Sequence, residues 1–202
     1  MERTLLPKDS QDGRRVHILH GLGGIGKTQL AVAYARKHQR TYSAILWLNG
    51  SSKDTLLQSL AAYTRYANIS RWLESTLSTV RHTQDIEAEA KAVLAWLTLN
   101  GNRRWLMIFD NVDRDYSAES EDSQAYDIES FLPAADHGFI LVTTRLPHLG
   151  DLGNATKVST VDSEQALQIL VKISSGQQNT LGNPVFRYQF SSQLSWLTDD
   201  QK

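Results

Sequence analysis

The chain contains no cysteine. Disulfide bridges, thiolate metal sites and a cysteine nucleophile are therefore excluded, and a reducing interior suits the protein without being required by it. A charge bias is missing too: 21 Lys and Arg stand against 22 Asp and Glu, a formal net charge of -1 with a pI near 6.6. That balance offers no electrostatic pull toward nucleic acid or an anionic membrane. No apolar run approaches the roughly 18 residues of a membrane span, and the opening MERTLLPKDSQDGRR lacks the apolar stretch of a signal peptide. The expectation is a soluble cytoplasmic protein with neither a nucleic-acid nor a membrane partner. His17, His20, His38, His82, His137 and His148 show no His-x-x-x-His ligand spacing, so they read as ordinary residues rather than metal ligands. The Arg14-Arg15 and Arg103-Arg104 pairs read as solvated.

What is present is a globular composition. With 202 residues, 41% hydrophobic and 21% charged, the chain has enough apolar matter for a packed core and fits one domain, with or without a short appendage. Val16 to His20 is a β-branched, apolar run ended by glycine, the pattern of a buried strand. Lys27 to His38 carries Leu30, Ala31, Ala33, Tyr34 and Ala35 at helical spacing. SAILWLNG (43–50) reads as a second strand, followed by a helix through Leu56, Leu57, Leu60 and Ala61 behind a capping Ser51-Ser52.

A short helix is expected around Trp72 and Leu73. Ile86, Ala90, Val93, Leu94 and Leu97 form a stripe at i, i+4, i+7, i+8 and i+11 that stops at Asn100-Gly101. RWLMIFD (104–110) reads as a strand buried on both faces. SAESEDSQ (117–124) reads as an exposed acidic loop without function, GFILVTTR (138–145) as a fourth strand and TKVSTV (156–161) as a fifth. The segment after Asp162 reads as a helix. Strands alternating with helices predict an α/β, three-layer fold around a mainly parallel five-stranded sheet.

One loop carries chemistry. Gly21-Leu22-Gly23-Gly24-Ile25-Gly26-Lys27-Thr28 fits G-x-x-x-x-G-K-[ST] between a predicted strand and a predicted helix. Glycines allow positive φ and close approach, so that backbone N–H groups converge on a phosphate, and the start of the next helix adds its own free N–H groups. Lys27 is placed to reach the β and γ phosphates of a nucleotide, and the Thr28 hydroxyl to ligate Mg²⁺, a hard ion that prefers oxygen; Gln29 follows in the helix's first turn. A glycine turn that merely joined strand to helix would not require that lysine and threonine.

Magnesium also needs a carboxylate. Asp110 closes a buried strand and is the candidate, with Asn111 and Asp113 beside it as the further candidate catalytic residues. Asp113 fits a turn residue equally well. Arg145 follows ILVTT at the C-terminal edge of a strand, where ligands sit in open α/β sheets. Its planar donor fork suits a terminal phosphate; the alternative is a surface arginine in a loop.

GLGGIGKTQLA, WLMIFDNVD, GFILVTTR and VDSEQALQIL, in that order, resemble the nucleotide-binding core of the NB-ARC class of STAND NTPases, with a texture closest to fungal receptors of this type. The resemblance spans residues 16 to 173. It implies a P-loop NTPase fold, an ADP/ATP cofactor with Mg²⁺ on Thr28 and Asp110, phosphates held by Gly21 to Thr28, and Arg145 as sensor of the terminal phosphate. It further implies a switch that rests with ADP, opens and oligomerises with ATP, and works through protein partners or self-association in innate immune signalling.

Three departures stand out. The position after Asp110, often a second acid, is Asn111, whose amide orients water but cannot accept its proton, so slow or negligible hydrolysis is expected. The helical subdomain with its Gly-x-Pro motif is not found after the last helix, and neither flanking effector nor repeats are seen. A truncated product is therefore expected: a lead segment over 1–15, the nucleotide-binding domain over 16–175 and an irregular tail over 176–202. A catalytically active ATPase or phosphotransferase and a degenerate remnant are the alternatives. A GTPase is disfavoured by the lack of Asn-Lys-x-Asp, and a small-molecule kinase by the lack of arginines in LPHLGDLG (146–153).

Overall fold

The apolar runs form the strands. In the structure, a computed structural model, residues 1–7, 13–76, 85–117, 119 and 121–159 are described, with the backbone alone for 67, 68 and 74–76. The chain divides into two units, Met1–Ser159 and Thr160–Lys202, and the described residues belong to the first. The helix expected after Asp162 and the tail over 176–202 lie outside them.

Strands β1 (Arg15–His20), β2 (Ala44–Asn49), β3 (Trp105–Asp110), β4 (Phe139–Thr144) and β5 (Asn154–Lys157) make one sheet in the order β2-β3-β4-β1-β5. Every pairing is parallel. This is the α/β, P-loop NTPase fold that the sequence pattern predicts. The fifth strand starts earlier than TKVSTV, at Asn154, and all four of its residues are exposed.

The helices are α1 (Glu2–Leu5), α2 (Lys27–Lys37), α3 (Lys53–Ala62), α4 (Ala67–Thr76) and α5 (Ile86–Leu97). Their ends follow from local chemistry. At the start of α3 the Ser52 hydroxyl accepts from Thr55 N at 3.2 Å while Thr55 Oγ1 accepts from Ser52 N at 3.1 Å, a reciprocal capping box. Asp85 caps α5 by accepting from the N–H groups of Glu87 and Ala88. The acidic loop is partly fastened: Gln124 O accepts from Lys53 N at 3.0 Å, and Asp122 pairs with Arg114 at 2.6 Å.

Side-chain alternation sorts the central strands onto two faces. Val16, Ile18, Leu46, Leu48, Met107, Phe109, Ile140 and Val142 share one core with α3, α4 and α5. Their neighbours in sequence, among them Leu106, Ile108, Leu141, Asp110 and Thr143, therefore point to the other face. There α2 buries Ala31, Val32, Tyr34 and Ala35; the Tyr34 and Tyr42 hydroxyls are 2.5 Å apart, and Tyr42 packs edge-on against Phe139. Fully burying an aliphatic side chain contributes about 1.5–3 kcal/mol, so a one-residue slip in β3 or β4 would expose a whole row.

The first residues pack on this frame. Leu5 is fully buried, its carbonyl accepts from Tyr42 Oη at 2.6 Å, and Leu6 O accepts from Arg15 Nη1 at 2.7 Å. Arg14 and Arg15 are thus held rather than simply solvated: Arg14 donates to Pro133 O at 2.9 Å, and the Arg15 guanidinium lies 5.5 Å from the Phe139 ring centre.

Candidate functional site

β1 runs directly into the glycine loop. Gly24 (φ 72°) and Gly26 (φ 96°) adopt the left-handed backbone that a Cβ disfavours. Gly26 is the N-cap of α2 and supplies no side chain to cap it. Among the described residues, the backbone N–H groups of Gly23, Gly24, Gly26, Lys27, Thr28 and Gln29 find no acceptor. A helix front left open in this way suits an anion, because unpaired N–H groups and the helix dipole act together.

Lys27 is 9% exposed, and its Nζ donates to the carbonyls of Gly21 and Leu22, each at 2.9 Å. An ammonium has three protons, so two bonds to the loop leave one donor. Gly21 itself serves packing: a Cβ there would run into the Val158 carbonyl oxygen, just beyond β5.

The sheet order decides what faces the loop. β4 lies between β1 and β3, which sets the β3 carboxylate two strand spacings, roughly 9–10 Å, from β1. Asp110 is buried on the α2 face, where Thr28 Oγ1 donates to its Oδ1 at 2.9 Å and Thr143 Oγ1 to the same oxygen at 2.6 Å. Burial pushes the Asp110 carboxyl above the usual range, and Asp113's charge adds to that; the Thr143 and Thr28 hydroxyls and Lys27 pull it back. Among the described residues Asp110 Oδ2 takes no hydrogen bond.

Asn111 follows at φ 67°, a left-handed position that Asn tolerates, and its N–H donates to Thr143 Oγ1 at 2.9 Å. Asp113 meets Arg145 twice: its Oδ1 accepts from Arg145 N at 2.6 Å and its Oδ2 from Arg145 Nε at 2.5 Å. Arg145 in turn lies beside the loop, 3.7 Å from where a Cβ on Gly23 would stand.

These groups line one cleft of about 270 Å³. Gly23, Gly24, Gly26, Lys27, Thr28, Gln29, Asn111, Asp113 and Arg145 border it, as does Thr143, which the sequence reading passed over. Gly21, Ile25 and Asp110 do not border it; Asp110 stands one layer behind, under Thr28 and Thr143. The signal for Thr143 was available: two hydroxyls in an otherwise apolar, doubly buried strand must find partners. The donor set also fits Mg²⁺, since the Thr28 hydroxyl and the unpaired Asp110 oxygen are hard ligands. Among the described residues no group of three or more acidic or histidine side chains is placed to hold a metal ion by itself.

Open amides at the front of a helix, backed by one buried ammonium at the C-terminal edge of a parallel sheet, define a P-loop NTPase fold. A family model narrows this: the NB-ARC domain model matches residues 2–180, and the chain belongs to the NB-ARC domain family, whose members bind ATP or ADP. The match begins ahead of the motifs and takes in α1. No curated protein matches the chain. Among solved structures, it is similar to a signal transduction ATPase with numerous domains (STAND) protein with a tetratricopeptide repeat sensor from Pyrococcus horikoshii. Identity there is 18% and the TM-score 0.44, over 83% of this chain and 24% of that one. The chain spans about a quarter of that protein's length. Among the described residues no helix is long and apolar enough to cross a membrane.

Proposed function

We propose that the chain is the nucleotide-binding switch of a signalling protein of the NOD-like receptor or plant resistance type. It holds ADP at rest, exchanges it for ATP, and hydrolyses ATP slowly or not at all. The open amides of Gly23, Gly24, Gly26, Lys27, Thr28 and Gln29, residues that border the cleft, carry this reading. At about 270 Å³ the cleft falls just below the roughly 300–1,000 Å³ of sites that enclose a whole small ligand, which suits a polyphosphate tail with the base held beyond it.

In this reading Gly23, Gly24, Gly26, Lys27, Thr28 and Gln29 bind phosphate, with Gly21 and Ile25 shaping the loop. Thr28 and Asp110 hold Mg²⁺. When bound, that ion neutralises phosphate charge. Arg145 faces the terminal phosphate and Asn111 orients water. Slow turnover is supported by Asp113 being the one carboxylate among the described cleft-lining residues and by its pairing with the Arg145 guanidinium. A carboxylate held by a cation is a weaker base toward an attacking water. A cytoplasmic setting, a part in innate immunity, and protein partners or self-association controlled by the bound nucleotide belong to the same proposal.

Calorimetric titration with ADP and Mg-ATPγS, beside a phosphate-release assay with ATP, tests it. ADP at about 100 times its dissociation constant should stabilise the domain by about 2.7 kcal/mol. Phosphate release should stay far below the roughly 10 s⁻¹ of a typical enzyme. Release at that rate would make the chain an ATPase, and no binding of either nucleotide would remove the switch altogether.

A further inference from the structure

We infer that Asp113 is a positioning residue: it fixes the plane of the Arg145 guanidinium over the glycine loop and thereby sets how strongly the site prefers a nucleoside triphosphate to a diphosphate. The inference rests on the proposed nucleotide site and adds a determinant of its selectivity. Arg145 is a long side chain, 59% exposed, at the first position after β4. Left alone, such a side chain samples many rotamers and loses that freedom when a ligand orders it.

The structure removes most of that freedom in advance. Asp113, only 10% exposed, holds the arginine at two points, the backbone N–H and Nε. The first fixes where the side chain starts and the second fixes the edge by which the guanidinium is gripped. The opposite edge is left open: among the described residues neither Nη of Arg145 has a hydrogen-bond partner, and Nη1 lies 3.9 Å from a Cβ built on Gly23. One guanidinium has five N–H donors in a rigid fork. It can therefore keep Asp113 on its Nε side while its Nη groups meet an anion on the loop. The two contacts do not compete, so the carboxylate prepares the arginine instead of occupying it.

A third phosphate is the part of a nucleotide that such a poised fork distinguishes, while a diphosphate rests on the loop amides and Lys27. Asp113→Asn keeps an oxygen for the Arg145 N–H but offers Nε no negative acceptor. In calorimetric titrations we expect Asp113→Asn to weaken Mg-ATPγS binding about 10-fold, and ADP binding less than about 3-fold, since one charge-assisted bond is typically worth a factor of this size. The Arg145→Ala variant should lose the same preference, and the double variant should lose no more than Arg145→Ala alone.

Arg145→Lys, an exposed conservative change that should not disturb folding, keeps the charge but not the fork, and should behave as Arg145→Ala does. Equal weakening of both nucleotides, an unchanged ratio, a strictly additive double variant, or full triphosphate preference in Arg145→Lys would each overturn the assignment of Asp113. If the unaltered chain bound neither ADP nor ATPγS, the nucleotide site itself would fall, and this inference with it.

Discussion

Removing the Lys27 ammonium is the sharpest perturbation of the site. Its Nζ is held by two carbonyls of its own loop, Gly21 O and Leu22 O, both at 2.9 Å, and the side chain is almost wholly covered. Lys27→Ala therefore has two consequences that must be separated. The empty domain loses two charge-assisted hydrogen bonds, although a loop in which Leu22 is exposed can rehydrate its carbonyls, which limits the cost. The site loses one of the two cations, Lys27 and Arg145, that border the cleft among the described residues. A hydrogen bond to a charged group is worth about 1.5–3 kcal/mol, and with about 1.4 kcal/mol per factor of ten this becomes roughly a 10- to 150-fold weaker affinity for ADP. Calorimetry with ADP reads the affinity, and thermal unfolding of the nucleotide-free variant reads the fold. A folded Lys27→Ala protein that binds ADP as tightly as the parent would refute the role of Lys27, and with it the account of why a lysine sits buried behind four glycines.

Three further outcomes follow from particular contacts. Gly138, at φ 89°, packs directly on the six-membered ring of Trp105; Gly138→Ala combines overpacking, about 1–3 kcal/mol, with left-handed strain of about 1–2 kcal/mol. A urea melt should show that loss, and an unchanged midpoint would contradict the packing. Asn111→Asp restores a proton acceptor at a position whose φ of 67° an aspartate also tolerates; phosphate release should rise, and an unchanged rate would place water activation elsewhere. His17 is buried between Thr4 and Thr156, and burial, with a smaller push from the positive chain start, lowers its pKa to about 4. Between that value and its unfolded value near 6.5 the unfolded chain binds the extra proton, so stability falls as pH drops, by about 2 kcal/mol from pH 7 to pH 5. Denaturant melts of the parent and of His17→Gln test this, the variant being expected to show a flatter dependence.

Much of the fold was legible because its signals are local. The α5 stripe keeps its expected apolar positions from Ile86 to Leu97, although the helix ends at Leu97, ahead of the expected Asn100-Gly101 stop, and the apolar runs of β1 to β4 lie within a residue of their expected bounds. β5 was placed less well, since a short exposed edge strand carries no apolar pattern to read. Likewise α1, a single turn in a polar lead segment, has one buried anchor, Leu5.

The amino-acid order alone determined the glycine loop, its lysine and threonine, and the strand that ends in Asp110, because G-x-x-x-x-G-K-[ST] demands its residues at fixed spacing along one continuous piece of chain. Tertiary structure alone decided the rest of the site. Placing β4 between β1 and β3 is a choice of sheet order, made by strands far apart in the chain. That order, together with the pleat, sets Thr143 against Asp110 and brings Arg145 within reach of Asp113. Pairing across 32 residues leaves no periodic trace in a sequence, so it exists only once the strands have met.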